Sequence, residues 1–330
     1  MTDIRYLSGN DLRGLATPGE FVDVVREAYH DRGTGGSAAP RTKLLSESPP
    51  GMFTTYAAVL PTLGYMGGYM YSAGFGARDA TFVTPLFDAE SGDLLAILDG
   101  AYMNPLKTGA AGAVGVDALA RNDASVLGVI GAGTQARGQI RATVNVRDIS
   151  DVLIFSPTAE NRESLASELD QELTSAVRAV EGTEEILAEA DVIVTATTAS
   201  EPVFDGSGLR PGTHVTAMGQ YDPEKRELDS ESIAKAIYVP DLRERVMQDA
   251  GSFIHAVDSG VVTEEHVHGE LGDVLAGSSP GRTSENDITV FDSGGTGIET
   301  VAAAGLLYER ACDADRGTML ELLPASESFP

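Results

Sequence analysis

The chain is short of cysteine, of lysine and of long apolar runs, and each shortage removes a class of protein. One cysteine, Cys312, stands in 330 residues. An intramolecular disulfide framework and a cysteine-built zinc site are therefore excluded. Cys312 itself is expected to be a small buried hydrophobe on a late helix. No apolar run approaches the ~20 residues needed to span a bilayer. Met1-Thr2-Asp3-Ile4-Arg5 lacks a basic stretch followed by an apolar one, so no signal peptide is expected and a cytoplasmic location follows. The chain has no G-x-S-x-G elbow, Walker loop or H-E-x-x-H motif, and no internal repeat or low-complexity segment. Lysine occurs only as Lys43, Lys107, Lys225 and Lys235.

Acid, by contrast, is abundant. Fifty acidic residues stand against 23 basic ones, a formal net charge of −27. They are scattered along the chain, as at Glu181, Glu184 and Glu185. Nucleic acid and anionic membranes both require basic patches, so neither is an expected partner. Self-repulsion of this size destabilises a fold in dilute buffer. Molar salt shortens the Debye length to about 3 Å and screens it. An acid-rich, lysine-poor composition of this kind looks like that of halophilic proteins, with an ordinary acidic mesophile protein as the plain alternative.

The length suits two domains of about 100–200 residues each. Thr17-Pro18-Gly19-Glu20 reads as a helix start, followed by Phe21, Val24, Val25, Ala28 and Tyr29 at helical spacing. Residues 52–100 read as several strands of a mixed sheet, and Lys107 to Ala120 as a helix rich in small residues. Near Arg121 the pattern changes to apolar strands alternating with helices: Val126–Ile130, Val152–Phe155, Asp191–Thr197, Gly212–Met218 and Ala236–Val239. That is the pattern of a parallel sheet covered on both faces. The predicted fold is α/β: a Rossmann-type doubly wound parallel sheet over residues 121–296, preceded by a smaller α+β domain over 1–120. A C-terminal helix, Gly297 to Ala311, is expected to return to that first domain and complete it with the segment 297–330.

Gly131-Ala132-Gly133-Thr134-Gln135-Ala136 is G-x-G-x-x-A placed directly after a strand and at the start of a helix. Gly131 permits the tight turn, Gly133 lets backbone approach a pyrophosphate, and Ala136 allows close helix–strand packing. Amides at the helix start, those of Thr134 and Gln135 among them, then face the phosphates. The motif predicts a bound NAD or NADP. NAD sites usually carry an acid at the end of the second strand. Here Phe155-Ser156-Pro157-Thr158 has none, and Asn161-Arg162 follow. Ser156 and Thr158 are suited to bond a 2′-phosphate and Arg162 to pair with it, which favours NADP; Arg162 as a solvated helix residue is the plain alternative. Gly294-Gly295-Thr296-Gly297, with Ser293 beside it, reads either as backbone approaching the nicotinamide or as a plain turn. His266-Val267-His268-Gly269-Glu270 alternates like ligands on one strand face, but no third ligand outside this stretch is evident and no metal is expected.

Several stretches together resemble the ornithine cyclodeaminase/mu-crystallin family. They are Leu106–Gly112, the turn above, Val194–Val203, Glu270–Gly277 and Ile288–Ser293. The likeness runs from about Pro40 to Ala311. It implies NAD(P)-dependent chemistry on an amino or imino acid, by hydride transfer at Cα. It also implies a homodimer, with the N-terminal domain serving substrate binding and dimerisation. By the same likeness Arg41 binds the substrate carboxylate, a task that suits a guanidinium fork. Lys107, at an expected helix start with Thr108 beside it, replaces an arginine near the cofactor phosphates, and Thr197 and Gly219 lie at the cofactor. Two positions depart from the family. Its usual strand lysine is replaced by Tyr69 or Met70, with Lys43 a possible substitute. Its aspartate two residues after Gly219 is replaced by Tyr221, with Asp222 the nearest carboxylate. Both changes count against ornithine cyclisation, less against imine reduction or oxidative deamination. An ammonia lyase using bound NAD, and a cofactor-binding protein without catalysis, are the other two readings.

Overall fold

The structure is a computed structural model that describes residues 2–77 and 79–323. These form two compact units, one drawn from the described residues up to 107 and from 296 onward, the other residues 108–295. The division falls inside the helix Gly100–Leu119, not at residue 120. A continuous helix hides a unit boundary from any reading based on periodicity. That helix also begins at Gly100 rather than Lys107, and it carries Pro105 in its interior. Asn104-Pro105 is a local breaker signal, and the helix runs through it.

The chain begins with β1 (Thr2–Leu7), the helix Pro18–Thr34, β2 (Ser37–Ala38), β3 (Thr42–Glu47), β4 (Pro50–Leu60), β5 (Tyr65–Gly74), β6 (Thr81–Asp88) and β7 (Leu94–Asp99). The second unit contributes β8 (Val126–Ile130), β9 (Asp151–Phe155), β10 (Ala176–Ala179), β11 (Val192–Thr195), β12 (His214–Ala217), β13 (Ala236–Pro240) and β14 (Ile288–Asp292). The helix Gly297–Asp313 and β15 (Thr318–Leu322) return to the first unit.

In the first unit the sheet order is β15-β1-β7-β6-β5-β4-β2, with β3 also paired to β4. The helix Pro18–Thr34 starts as expected, with Thr17 and Glu20 closing a reciprocal capping box. Along β4 the faces alternate: Thr54, Tyr56, Ala58 and Leu60 are buried, Phe53 and Val59 exposed. The helix Gly297–Asp313 packs on β4, β5 and β6. It stops at Asp313, and Asp315 at φ 49° and Gly317 at φ 100° turn the chain into β15. The segment 297–330 is thus a helix to Asp313, close to the expected Ala311, followed by a strand rather than helix throughout; residues 324–330 lie outside the described residues. Cys312 is half-buried on this helix rather than buried.

The second unit is a seven-stranded parallel sheet in the order β10-β9-β8-β11-β12-β14-β13. Every residue of β11 and β12 is buried, as strands covered on both faces require. His214 on β12 is sealed within, its ring nitrogens 2.8 Å from Thr289 Oγ1 and 2.9 Å from Thr216 Oγ1. Burial pushes its pKa down to about 3. Strand order reverses between β8 and β11, and such a switch point is where doubly wound sheets bind their ligands. Among the described residues no helix is long and apolar enough to cross a membrane.

Candidate active site

The turn after β8 lies at that switch point. Gly131 adopts φ 122°, and its N–H donates to Phe155 O at 2.8 Å. A Cβ there would lie 2.3 Å from Ala196 O, so only glycine passes beneath the end of β11. Gly133 caps the helix Thr134–Thr143 with no side-chain hydrogen bond, and the space a Cβ would take is open. Amides of the first turn are left without a side-chain cap, the arrangement that receives a phosphate. Thr134 is exposed, Gln135 half-buried and Ala136 fully buried. The turn therefore fits a dinucleotide pyrophosphate.

At the end of β9, Ser156 is buried and Thr158 exposed. Arg162 is neither a solvated residue nor an open phosphate grip. It is 7% exposed, donates through Nη1 to Ser156 O at 3.0 Å and pairs through Nη2 with Glu181 at 2.8 Å. A 2′-phosphate here has to displace Glu181, whose side chain is 85% exposed.

Beyond β11 and β12 the structure brings Thr197 and Gly219 together on a carboxylate that the sequence did not flag. Glu227 Oε1 accepts the Thr197 N–H and Oγ1, each at 2.7 Å. Its Oε2 accepts the Gly219 N–H at 2.8 Å and Thr195 Oγ1 at 3.0 Å. Burial pushes the Glu227 carboxyl up, and these four bonds oppose that. In sequence Glu227 closes the charged run Glu224-Lys225-Arg226, which reads as a solvated surface. The Ser293 hydroxyl donates to Asp241 Oδ2 at 2.7 Å, and the Gly295 N–H reaches the same oxygen at 3.2 Å. Asp241, Asp249 and Asp292 surround the buried Arg245. Asp222 accepts the Glu224 N–H at 3.0 Å and serves its own turn. His266 and His268 do not share a strand face. Each ring contacts a backbone carbonyl, Ile233 O at 2.8 Å and Pro280 O at 2.7 Å. Among the described residues no group of three or more His, Cys, Asp or Glu side chains is placed to hold a metal ion.

The first unit holds a second cluster. Arg41 is 5% exposed, with Cζ 5.2 Å from the Tyr56 ring centroid. Lys107 is buried; its Nζ stands 5.8 Å from Tyr56, 5.2 Å from Tyr69 and 3.2 Å from Glu299 Oε1. Glu299 is fixed in turn by the capping box with Thr296. Tyr69 stacks on Phe82 with centroids 5.2 Å apart, and burial holds its hydroxyl far above its ordinary pKa. Lys107 therefore clusters with Arg41 inside the first unit. Thr108, the next residue, is in the other unit, where its carbonyl accepts Gln139 Nε2 at 2.8 Å. Tyr69, rather than Met70, points into the cluster, since the two alternate across β5. Lys43 is half-buried on β3, in register with Thr54. Two cations, a carboxylate and an aromatic wall can bind an anionic group and hold a proton beside it.

Residues 19–315 match the model of the ornithine cyclodeaminase/mu-crystallin family. The alanine dehydrogenase of Archaeoglobus fulgidus is 34% identical, over 96% of this chain and 97% of its own. A solved Delta(1)-pyrroline-2-carboxylate reductase of Thermococcus litoralis, in complex with NADH and L-proline, superposes with a TM-score of 0.89 at 32% identity, covering 96% of this chain and 99% of that one. An archaeal alanine dehydrogenase dimer with bound NAD does so with a TM-score of 0.89 at 32% identity, covering 98% and 100%. Family match and likeness extend through both units, over the glycine turn and the Arg41–Lys107 cluster alike, and the chain belongs to the ornithine cyclodeaminase/mu-crystallin family.

Proposed function

We propose that the protein is a nicotinamide-dinucleotide-dependent oxidoreductase acting on a small α-amino or cyclic imino acid. The observation that carries the substrate half is the pair Arg41 and Lys107, two buried cations on one Tyr56 ring. A dry, cationic, aromatic-walled site suits an amino-acid carboxylate, and the relatives include enzymes named for alanine and for a pyrroline carboxylate. Arg41 grips the carboxylate with two parallel hydrogen bonds. Lys107, braced by Glu299, stands beside the reacting nitrogen and passes a proton to it or from it. A dinucleotide held at the Gly131 turn would supply the hydride for Cα or accept it from there, and with the proton handled by Lys107 this would account for reduction of an imine or the reverse. Asp222 is engaged in its own turn and Tyr221 replaces the family aspartate, which weighs against cyclisation of a diamino acid.

NADP(H) is the favoured cofactor in this reading. No acid follows Phe155, and Arg162 exchanges an exposed Glu181 for a ribose phosphate. The outer face of the first-unit sheet, with Phe53, Val59 and Val83 exposed and Leu44 and Leu45 nearby on β3, supports a homodimer, because apolar patches of this kind are usually covered. A cytoplasmic, salt-requiring enzyme completes the reading.

The test is oxidation of NADH and NADPH, followed by absorbance, with cyclic imino acids and with pyruvate plus ammonia. Net oxidation with one of them is expected. Ammonia release from L-ornithine with no net absorbance change marks a lyase instead. Dinucleotide binding without turnover across the panel marks a binding protein.

A further inference from the structure

We propose that Glu227 is a positioning residue that locks the nicotinamide-side border of the cofactor site, a role that rests on the dinucleotide reading above. A dinucleotide bound across a switch point has its adenosine half on one side of the phosphate turn and its nicotinamide half on the other. The adenosine side is that of β9, where the ribose-binding position lies. The opposite side is formed by the ends of β11 and β12. Glu227 joins those two ends. It takes Thr195 and Thr197 from the end of β11 and Gly219 from just past β12. Ala196, between the two threonines, lies directly over Gly131 and donates its N–H to Ile130 O at 2.9 Å. Carboxylate, strand ends and phosphate turn are therefore contiguous.

The arrangement is costly as packing alone. A buried carboxylate loses its hydration, and an apolar residue of similar size would not. All four of its lone-pair sites are filled. Gly219 is shaped to this contact, since a Cβ there would lie 2.3 Å from Glu227 Oε1 and 2.5 Å from Thr197 N. Only a carboxylate serves. The two backbone N–H donors reach different oxygens, Thr197 on Oε1 and Gly219 on Oε2. Glutamine has one acceptor oxygen and one NH2, so either way round it turns a donor against one of those amides. Hydroxyls could rotate to adapt, but backbone amides could not.

Glu227→Gln in the full-length protein is therefore a specific probe. Binding of NADH and NADPH is measured by calorimetry beside ADP-ribose and 2′-phospho-ADP-ribose, which lack the nicotinamide. The expected result is a loss of about tenfold or more for the intact dinucleotide, the scale of one hydrogen bond to a charged group, with the fragment bound as in the wild type. Equal losses for both ligands, or a lower melting temperature with neither affinity changed, overturn the proposal in favour of a structural role. Thr195→Val removes one hydroxyl donor and keeps the shape. It should weaken the dinucleotide alone by a few-fold, and it decides the matter if Glu227→Gln does not fold; unchanged or equally reduced affinities in it also overturn the proposal. Wild-type protein that binds no dinucleotide refutes the cofactor reading itself, a result distinct from the failure of Glu227.

Discussion

Arg41 shares the Tyr56 ring with Lys107, and its removal tests the substrate half alone. Hydrogen bonds to a charged partner contribute about 1.5–3 kcal/mol. Arg41→Ala should then lower kcat/KM roughly 10- to 150-fold at ~1.4 kcal/mol per decade. Arg41→Lys should recover part of this, because an ammonium lacks the planar fork. Cofactor affinity should stay as it was, Arg41 being in the first unit. Wild-type kinetics in Arg41→Ala removes the residue from the site; a joint loss of cofactor binding moves it to folding or to the dinucleotide. His214 offers a test of a different kind. Its pKa falls from an ordinary 6.5 to about 3 on burial, so on acidification the unfolded chain takes up the proton first. Stability is therefore lost as pH falls from 6.5 toward 3. At pH 5 this amounts to about 2 kcal/mol. In denaturant unfolding at fixed molar salt, the stability difference between wild type and His214→Gln should shift by that amount toward the variant between pH 7.5 and 5. An unchanged difference shows that His214 does not carry the effect.

The strand–turn–helix elements of the second unit explain why the cofactor was readable early. β8, the Gly131 turn, the helix Thr134–Thr143 and β9 follow one another within a short stretch, and the turn's demands are local: a positive φ at Gly131 and open space at Gly133. The choice between NAD and NADP is less local, since it depends on Glu181, which comes after β10 and holds Arg162. NADP(H) should bind more tightly than NAD(H) in calorimetric titration, and Arg162→Ala should narrow the gap chiefly by weakening NADP(H). Tighter NAD(H) binding in the wild type contradicts the preference. Ser156→Asp should shift it toward NAD(H), by supplying the acid that a ribose hydroxyl prefers.

At the scale of the whole molecule, a net charge of −27 sets the conditions under which all of this can be measured. The Debye length is about 10 Å at 0.1 M salt and about 3 Å at 1 M. Thermal melts should move upward between about 0.1 M and about 3 M KCl, and an indifferent melting temperature refutes the salt requirement. Sedimentation in high salt should give a dimer. Phe53→Glu, on the exposed face of β4, should shift it toward monomer. A wild-type monomer at all salt concentrations leaves that apolar face without the partner assigned to it.

Charge, the absence of disulfides, the parallel α/β pattern and the glycine turn were set by composition or by residues close in the chain. Those properties follow from sequence because their physics is local or additive. The strand pair β1–β15 joins Thr2 to Leu322, and no periodicity announces a contact of that length. The box of Arg41, Tyr56, Tyr69, Lys107 and Glu299 draws on the link between β2 and β3, two strands and two helices. The partners of Lys107 lie on β4, β5 and the helix Gly297–Asp313, beyond the reach of any local pattern. Glu227 reads as one more charge in an acidic chain until folding closes Thr195, Thr197 and Gly219 around it. Tertiary structure decided these sites because a buried ion's meaning lies in its partners, and the partners are neighbours only in space.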